Sequence, residues 1–222
     1  LFAANVVAAA NTDFSVYGMS FNQAGTTSVS ATSLVTATGA DVVANGDSNA
    51  AIFDVSSVAG QGFVIAARGT SDDLYMRLVS TTLTGITTTK TAALAAPPNA
   101  LATWASYSGG VLTGHVFYNS TTSLRGRTLP SDTGTLSAEN TIGSTSLTGA
   151  DRLGRLATYS YGSEIMVVAD GYFTDATYGR YMLGQQVFTL STAHVLSDTI
   201  ELATKCCLAA RIFTANSRYY VP

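Results

Sequence analysis

Residues 101–120 read LATWASYSGGVLTGHVFYNS and decide the fold class. Two apolar runs of strand length flank Ser108-Gly109-Gly110, and glycine adopts the positive φ angles of a tight turn without steric cost. The first run contains Trp104, and the second ends at Asn119-Ser120. This pattern predicts a β-hairpin.

Runs of similar length and alternation recur along the rest of the chain. Regular strand spacing with turns rich in glycine is typical of an all-β sandwich. The segment 164–171 is apolar on both faces, which predicts a central strand between two layers. The further predicted strands lie at residues 13–21, 26–38, 51–55, 61–68, 74–80 and 153–161.

Two segments near the C-terminus have the pattern of helices. Residues 175–185 form a short candidate that Gly179 interrupts. Residues 198–213 form a stronger candidate, because Asp198 followed by Glu201 resembles a capping box.

The order of motifs resembles the laminin G-like branch of the concanavalin A-like lectin/glucanase superfamily. The resemblance implies an antiparallel jelly-roll β-sandwich over residues 13–190, an N-terminal arm at 1–12, and a short C-terminal helix and tail at 191–222. Ser120 departs from the family pattern, which usually has glycine there. The residues that carry the resemblance are Trp104, Gly109-Gly110, Val116 to Asn119, Ile142-Gly143 and Ile165 to Tyr172.

The composition bounds the classes of function. Only 11% of the residues are charged, compared with about 25% in ordinary globular domains. The net charge is −3 and there is no basic patch, so nucleic-acid binding has no electrostatic basis. No apolar run reaches the roughly 18 residues that a membrane-spanning helix needs. A hydroxyl-rich surface with few charges predicts a protein that neighbours cover or that works outside the cell.

Both ends of the chain are candidates for assembly contacts. Residues 1–10 are apolar but precede the first predicted strand, and the tail carries paired tyrosines. The adjacent pair Cys206 and Cys207 offers no disulfide framework. The residues that we predict to contact neighbouring subunits are Leu1, Phe2, Val6, Val7, Tyr219 and Tyr220.

Catalytic groups are hard to find in the sequence. A glycosidase needs two carboxyl groups that flank one bond, but of the three glutamates only Glu164 lies on a predicted strand. Asp170, the next acid on its face, lies about 20 Å further along an extended chain. His115 is predicted to be a structural residue in mid-strand, and no nucleophile motif surrounds His194. The sequence therefore predicts a protein without enzymatic activity, and no catalytic residue.

Two oxygen-rich turns are candidate calcium sites, the only cofactor that the sequence suggests. They contain Asp72 and Asp73 in one turn, and Asn45 and Asp47 in the other. Neither has the spacing of a known calcium loop.

These observations together favour a virion structural protein, either a capsid decoration protein or a spike or fibre component. It would lie on the virion surface or outside the cell, in a homo-oligomer or on a particle, with neighbouring subunits as partners and host glycans as a further ligand. The alternative is a secreted or cell-surface carbohydrate-binding module. A glycosidase is the third hypothesis, which the spacing of the carboxylates disfavours.

Overall fold

The computed structural model consists of β-strands joined by turns, and no helix occurs among the residues that it describes. In that part of the chain, no helix is therefore long and apolar enough to cross a membrane. The described residues are 2–7, 13–21, 24–38, 53–68, 73–94, 100–120, 123–144, 152–161, 164–175, 180–202, 213–215 and 218–220.

In the described part of the chain, four antiparallel sheets of three or four strands follow one another, and each is built from consecutive strands. Sheet 1 contains β1 (Phe2–Val7), β2 (Asp13–Phe21) and β3 (Thr27–Thr38). Sheet 2 contains β4 (Phe53–Val58), β5 (Gly62–Arg68), β6 (Asp73–Val79) and β7 (Lys90–Ala93).

Sheets 3 and 4 repeat the four-stranded pattern of sheet 2. Sheet 3 contains β8 (Leu101–Ser108), β9 (Val111–Ser120), β10 (Ser123–Pro130) and β11 (Asn140–Ser144). Sheet 4 contains β12 (Arg152–Tyr161), β13 (Glu164–Asp175), β14 (Arg180–Ser191) and β15 (Leu196–Leu202). A separate two-stranded ribbon joins β16 (Phe213–Ala215) to β17 (Arg218–Tyr220).

The hairpin of β8 and β9 shows why these strands form where they do. Gly109 and Gly110 both have positive φ, 57° and 86°, as the central positions of a type I′ turn require. The turn sets the register, so that Trp104 lies opposite His115. Alternate side chains of both strands then point to opposite faces of sheet 3.

The sheets stack face to face in chain order, with a separate apolar core at each contact. Sheets 1 and 2 share a core around Val16, Leu34, Ile65 and Tyr75. Sheets 2 and 3 enclose Met76, Leu78, Val116 and Tyr118, and sheets 3 and 4 enclose Phe117, Leu124, Val167 and Phe188. Sheets 2 and 3 are therefore buried on both faces.

The first strands of successive sheets also lie next to one another. β4 contacts β8, and β8 contacts β12. Each is the end strand of its own sheet, so one edge of every four-stranded sheet converges on a common line. Side chains from these three edges can therefore meet.

The all-β antiparallel class predicted from the sequence is confirmed, whereas the jelly-roll sandwich is not. A sandwich has two sheets around one core, but the described residues form a stack of four sheets with a core at each of the three contacts between them. The sequence motifs of a hairpin fit a two-sheet sandwich and a stack of four sheets equally well. Strand pairing within a hairpin depends on nearby residues, whereas the stacking of sheets does not.

Both predicted helices are wrong where the structure describes them. Residues 198–202 belong to β15, and residues 180–185 belong to β14. Pairing between these two strands joins Val187 to Ile200 and Gln186 to Glu201. That ladder overrides the local capping signal, since β-branched residues such as Thr199 and Ile200 also favour strands.

Candidate functional site

Asp54 is the one carboxyl group on the described first strands of the four-stranded sheets. Its side chain is half-buried and reaches from β4 of sheet 2 to β8 of sheet 3. Asp54 Oδ2 accepts a hydrogen bond of 2.7 Å from the backbone N–H of Thr103 and another of 3.0 Å from Thr103 Oγ1. Asp54 therefore connects two neighbouring sheets at their shared edge.

Thr103 is held from both sides because β8 is an end strand. Its backbone N–H binds Asp54, and its carbonyl oxygen accepts a hydrogen bond of 2.6 Å from Thr158 Oγ1 on β12. An unpaired strand edge leaves polar backbone groups that must find other partners. Here side chains from the preceding and following sheets supply them. We call Asp54, Thr103 and Thr158 the edge ladder.

The environment of Asp54 favours its protonated form. Burial raises the pKa of Asp54, and the hydrogen bonds from Thr103 and from the Val55 backbone act in the opposite direction. A carboxyl group whose pKa is raised can keep a proton to higher pH and donate it during a reaction.

Ser56 adds a free hydroxyl next to Asp54. The two residues are two positions apart on β4, so their side chains point to the same face. Ser56 Oγ is buried and has no hydrogen-bond partner within the described residues. A buried hydroxyl without a partner is costly, and a bound polar ligand would satisfy it.

A second polar cluster lies between sheets 3 and 4. His115 Nδ1 and His194 Nε2 are 2.9 Å apart, and His115 Nε2 is 3.0 Å from Ser106 Oγ. Trp104 and Phe117 pack against these rings, with centroid distances of 4.6 Å to His115 and 4.7 Å to His194 respectively. We call the contact of His115 and His194 the histidine joint.

The connectivity from Ser106 to His115 to His194 is that of a nucleophile, a base and an orienting group. Its chemistry does not suit that role. Burial, together with the neighbouring His194, lowers the pKa of His115 to about 3, whereas a general base works best with a pKa near the working pH. Burial also lowers the pKa of His194, to about 4. The orienting group is His194, a neutral imidazole, and not a carboxylate. It therefore supplies no negative charge to stabilise an imidazolium at His115.

A third cluster joins an ion pair to a buried phenol on the opposite face of sheet 3. Arg125 forms a salt bridge with Glu139, and Glu139 Oε2 accepts a hydrogen bond of 2.6 Å from the Tyr118 hydroxyl. Burial opposes ionisation of Glu139, but the hydrogen bonds from Tyr118 and Arg125 keep its pKa lowered. This carboxylate is occupied by its partners, so we do not include it in the candidate site.

The residues predicted from sequence as sites lie elsewhere. Asp73 begins β6 and is half-buried, whereas Asp72, Asn45 and Asp47 fall outside the described residues. In the described part of the chain, no three histidine, cysteine, aspartate or glutamate side chains converge in a way that could bind a metal ion. The calcium sites stay a prediction.

The predicted assembly residues belong to strands where they are described. Phe2, Val6 and Val7 lie on β1, which pairs along its whole length with β2, so residues 2–7 are part of sheet 1. Tyr219 and Tyr220 lie on β17, and Leu1 falls outside the described residues. Their role in assembly stays a prediction.

Sequence reasoning missed both polar clusters. Asp54 and Thr103 are separated by 49 residues, and the two histidines by 79. The sequence predicted a satisfied structural histidine at position 115, and its two hydrogen-bond contacts agree with that role. The sequence signal that could have pointed to the candidate site was Asp54 itself, a single acid on a strand without other charges, FDVSSV.

Comparisons with known proteins give similarity in structure but none in sequence. No family model and no curated protein matches the chain. A GH93 α-L-arabinofuranosidase of Fusarium graminearum is 10% identical with a TM-score of 0.48, over 87% of this chain and 59% of that one. An endo-arabinase from Bacteroides thetaiotaomicron is 10% identical with a TM-score of 0.45, over 99% of this chain and 87% of that one. AofleA from Arthrobotrys oligospora is 13% identical with a TM-score of 0.46, over 87% of this chain and 54% of that one.

These findings correct the functional prediction from sequence. A non-enzymatic virion structural protein is contradicted, because two of these structures are glycoside hydrolases and none of the three is described as a viral or laminin G-like protein. The prediction rested on a search for two acids on a single strand, and the sequence did not show that edges of different sheets meet in this fold. The chain spans 59% of the length of the arabinofuranosidase.

Proposed function

We propose that this chain is part of a glycoside hydrolase with a β-propeller fold, and that Asp54 is its general acid. The observation that carries the proposal is the placement of Asp54. It is a carboxyl group with a raised pKa, located where the first strands of successive sheets converge. The proposal concerns hydrolysis of a glycosidic bond and leaves the sugar open.

The sheet arrangement supports the propeller. Propellers consist of four-stranded antiparallel sheets arranged around a central channel. Sheets 2, 3 and 4 each have four strands in chain order, and their first strands lie side by side. In a propeller these first strands line the channel, where a substrate would reach Asp54 and Ser56.

The chemistry follows from the state of the carboxyl group. Oδ2 of Asp54 accepts both hydrogen bonds from Thr103, which leaves Oδ1 as the position for a transferable proton. That proton would pass to the glycosidic oxygen as the bond to the anomeric carbon breaks. A hydrolase also needs a second carboxylate, about 5–5.5 Å away for retention or about 6.5–9.5 Å for inversion. Since the described first strands carry no other acid, that group must come from elsewhere in the protein.

The test is hydrolysis of aryl glycosides and of arabinan, with α-L-arabinofuranosides first in the panel because of the names of the similar structures. Asp54→Asn should lower kcat by about 100-fold or more, since it removes the acid but keeps the shape. Asp132→Asn is the matched control. Asp132 is exposed, and among the described contacts it forms a hydrogen bond only with its neighbour Thr133. The kcat of Asp132→Asn should therefore equal that of the wild type.

Two results would overturn the proposal. The first is a folded wild-type chain that hydrolyses no glycoside in the panel. The second is full activity in a folded Asp54→Asn variant. Comparing the melting temperatures of both variants with that of the wild type separates loss of chemistry from loss of fold.

A further inference from the structure

The histidine joint connects two different sheets. His115 lies in the middle of β9 in sheet 3, and His194 lies in the turn between β14 and β15 of sheet 4. Both are buried, with 2% and 3% of their surface exposed. The hydrogen bond between them is therefore a buried polar contact beside the apolar core that sheets 3 and 4 share.

The turn that carries His194 is shaped to reach this position. His194 has a φ of 60°, in the left-handed region that non-glycine residues seldom adopt. Its N–H donates to Ser191 O at 2.9 Å, and Asn140 Nδ2 donates to His194 O at 3.0 Å. Gly126 leaves the space for the ring, since a Cβ at that position would lie 2.6 Å from His194 Nδ1.

The hydrogen bond of the joint cannot form when both rings are protonated. A bond between two ring nitrogens needs one that carries a proton and one that does not. If both rings gain a second proton, all four nitrogens carry hydrogen, and the two that are 2.9 Å apart repel each other. Double protonation is therefore incompatible with the closed joint.

The described surroundings offer no charge to compensate two imidazolium ions. Trp104 and Phe117 present aromatic rings, and Ser106 presents a hydroxyl. Gly126 of β10 faces the joint, so Arg125 and Arg127 point to the opposite face. There they bind Glu139 and the carbonyl oxygen of Ser137. Asn140 of β11 contributes an amide, and the described residues bring no carboxylate to the rings.

We propose that acid opens the contact between sheets 3 and 4 at the histidine joint. When His115 and His194 take up protons, the turn at residues 191–196 moves away from its place over Gly126. Opening exposes both imidazole rings to water and allows His194 to leave its left-handed backbone conformation. Sheets 1 and 2 lie on the other side of sheet 3 and keep their own cores.

The direction of the pH dependence follows from linkage. The pKa of each histidine is near 6.5 when the ring is hydrated and is lowered in the closed state, to about 3 for His115 and about 4 for His194. The stability of the closed state relative to the open state is therefore greatest above pH 6.5, and it decreases as the pH falls. With two protons taken up, the open population rises by up to about 100-fold per pH unit between pH 6.5 and 4.

Hydrogen exchange read by mass spectrometry tests the proposal on the full chain between pH 7 and 4.5, after correction for the intrinsic exchange rate. Peptides covering 113–128 and 186–196 should lose protection as the pH falls, while peptides covering 62–79 in sheet 2 keep theirs. The double variant His115→Gln/His194→Asn should lose this acid dependence, because neither new side chain titrates. Asparagine suits the positive φ at position 194.

Imidazole NMR titration of the wild type gives a second measurement that needs no variant, since the chain has only two histidines. Both should titrate well below pH 6.5. The proposal is overturned if the double variant shows the same acid response as the wild type, if the wild type shows none, or if the histidines titrate near pH 6.5.

Discussion

At the scale of single residues, a few polar side chains determine how neighbouring sheets meet. Thr103 takes part in hydrogen bonds to Asp54 on one side and Thr158 on the other. His115 and His194 do the same between sheets 3 and 4. Such contacts add directional specificity to apolar cores that could otherwise slide, because a hydrogen bond has a narrow range of distance and angle.

Replacing Thr103 with valine should raise the pKa of Asp54 further. The hydroxyl of Thr103 donates to the ionised carboxylate, so its loss disfavours the charged form, while the backbone N–H of residue 103 remains. Titration of the Asp54 carboxyl by ¹³C NMR measures the change, and Thr103→Ser should restore the wild-type value. If Asp54 is the general acid, the alkaline limb of the pH–rate profile should move to higher pH by the same amount. An unchanged pKa in Thr103→Val would show that the hydroxyl does not tune this group.

Gly126→Ala should destabilise the contact between sheets 3 and 4. The new Cβ would lie 2.6 Å from His194 Nδ1 and 3.1 Å from Ile142 Cδ1, and overpacking of this kind costs about 1–3 kcal/mol. The matched control is Gly143→Ala on the neighbouring strand, where the nearest atom is Leu196 Cδ2 at 3.3 Å, at the end of a flexible side chain. Urea unfolding should show a clearly larger loss for Gly126→Ala. Equal losses would contradict the close fit of the His194 ring.

At the scale of elements, the sequence predicted most strands because their signals are local. Residues 13–21 were predicted as a strand with the bounds that β2 has, and the hairpin at Gly109-Gly110 has the predicted turn. The helix predicted from Asp198 was wrong because a capping signal is local too, whereas pairing with β14 is not. Alternation within a strand could not reveal that sheets 2 and 3 are covered on both faces, because it does not show which sheets stack on one another.

Arg77 joins sheets 1 and 2 by hydrogen bonds to backbone carbonyl groups, as the edge ladder joins sheets 2, 3 and 4. From β6, its Nη1 donates to the carbonyl oxygen of Leu34 on β3 at 2.6 Å, and its Nε donates to the carbonyl oxygen of Thr87 at 3.2 Å. Arg77→Met keeps the length of the apolar stem but removes both donors, so the free energy of unfolding should fall by about 1.5–3 kcal/mol. Urea unfolding is the measurement. Arg77→Lys, with one compact charged group, should recover only part of the loss, and full stability in Arg77→Met would refute the role of these bonds.

At the scale of the whole molecule, each of the four stacked sheets packs on its neighbours in chain order. Sheet 1 packs on sheet 2, sheet 2 on sheet 3, and sheet 3 on sheet 4. The sequence could not predict this arrangement, since the same hairpins fit a sandwich equally well. The candidate site could not be predicted for the same reason, because it exists only where edges of different sheets converge.

Separate contacts predict independent effects. Arg77→Met acts between sheets 1 and 2, Gly126→Ala acts between sheets 3 and 4, and the two residues share no partner in the described structure. The losses in the double variant should therefore add to within about 0.5 kcal/mol. Urea unfolding of both single variants and of the double variant checks this. A larger coupling would show that sheet 2 or sheet 3 transmits strain from one face to the other.

The building of every sheet from consecutive strands has a consequence for the order of folding. Most strand pairs join segments that are adjacent in the chain, so each four-stranded sheet closes only short loops and has a low local contact order. Such a unit can form as soon as its own stretch of chain leaves the ribosome, before the next sheet has been synthesised. The growing stack then offers each new sheet a finished surface, and synthesis from the N-terminus lays down the layers in the order in which they pack.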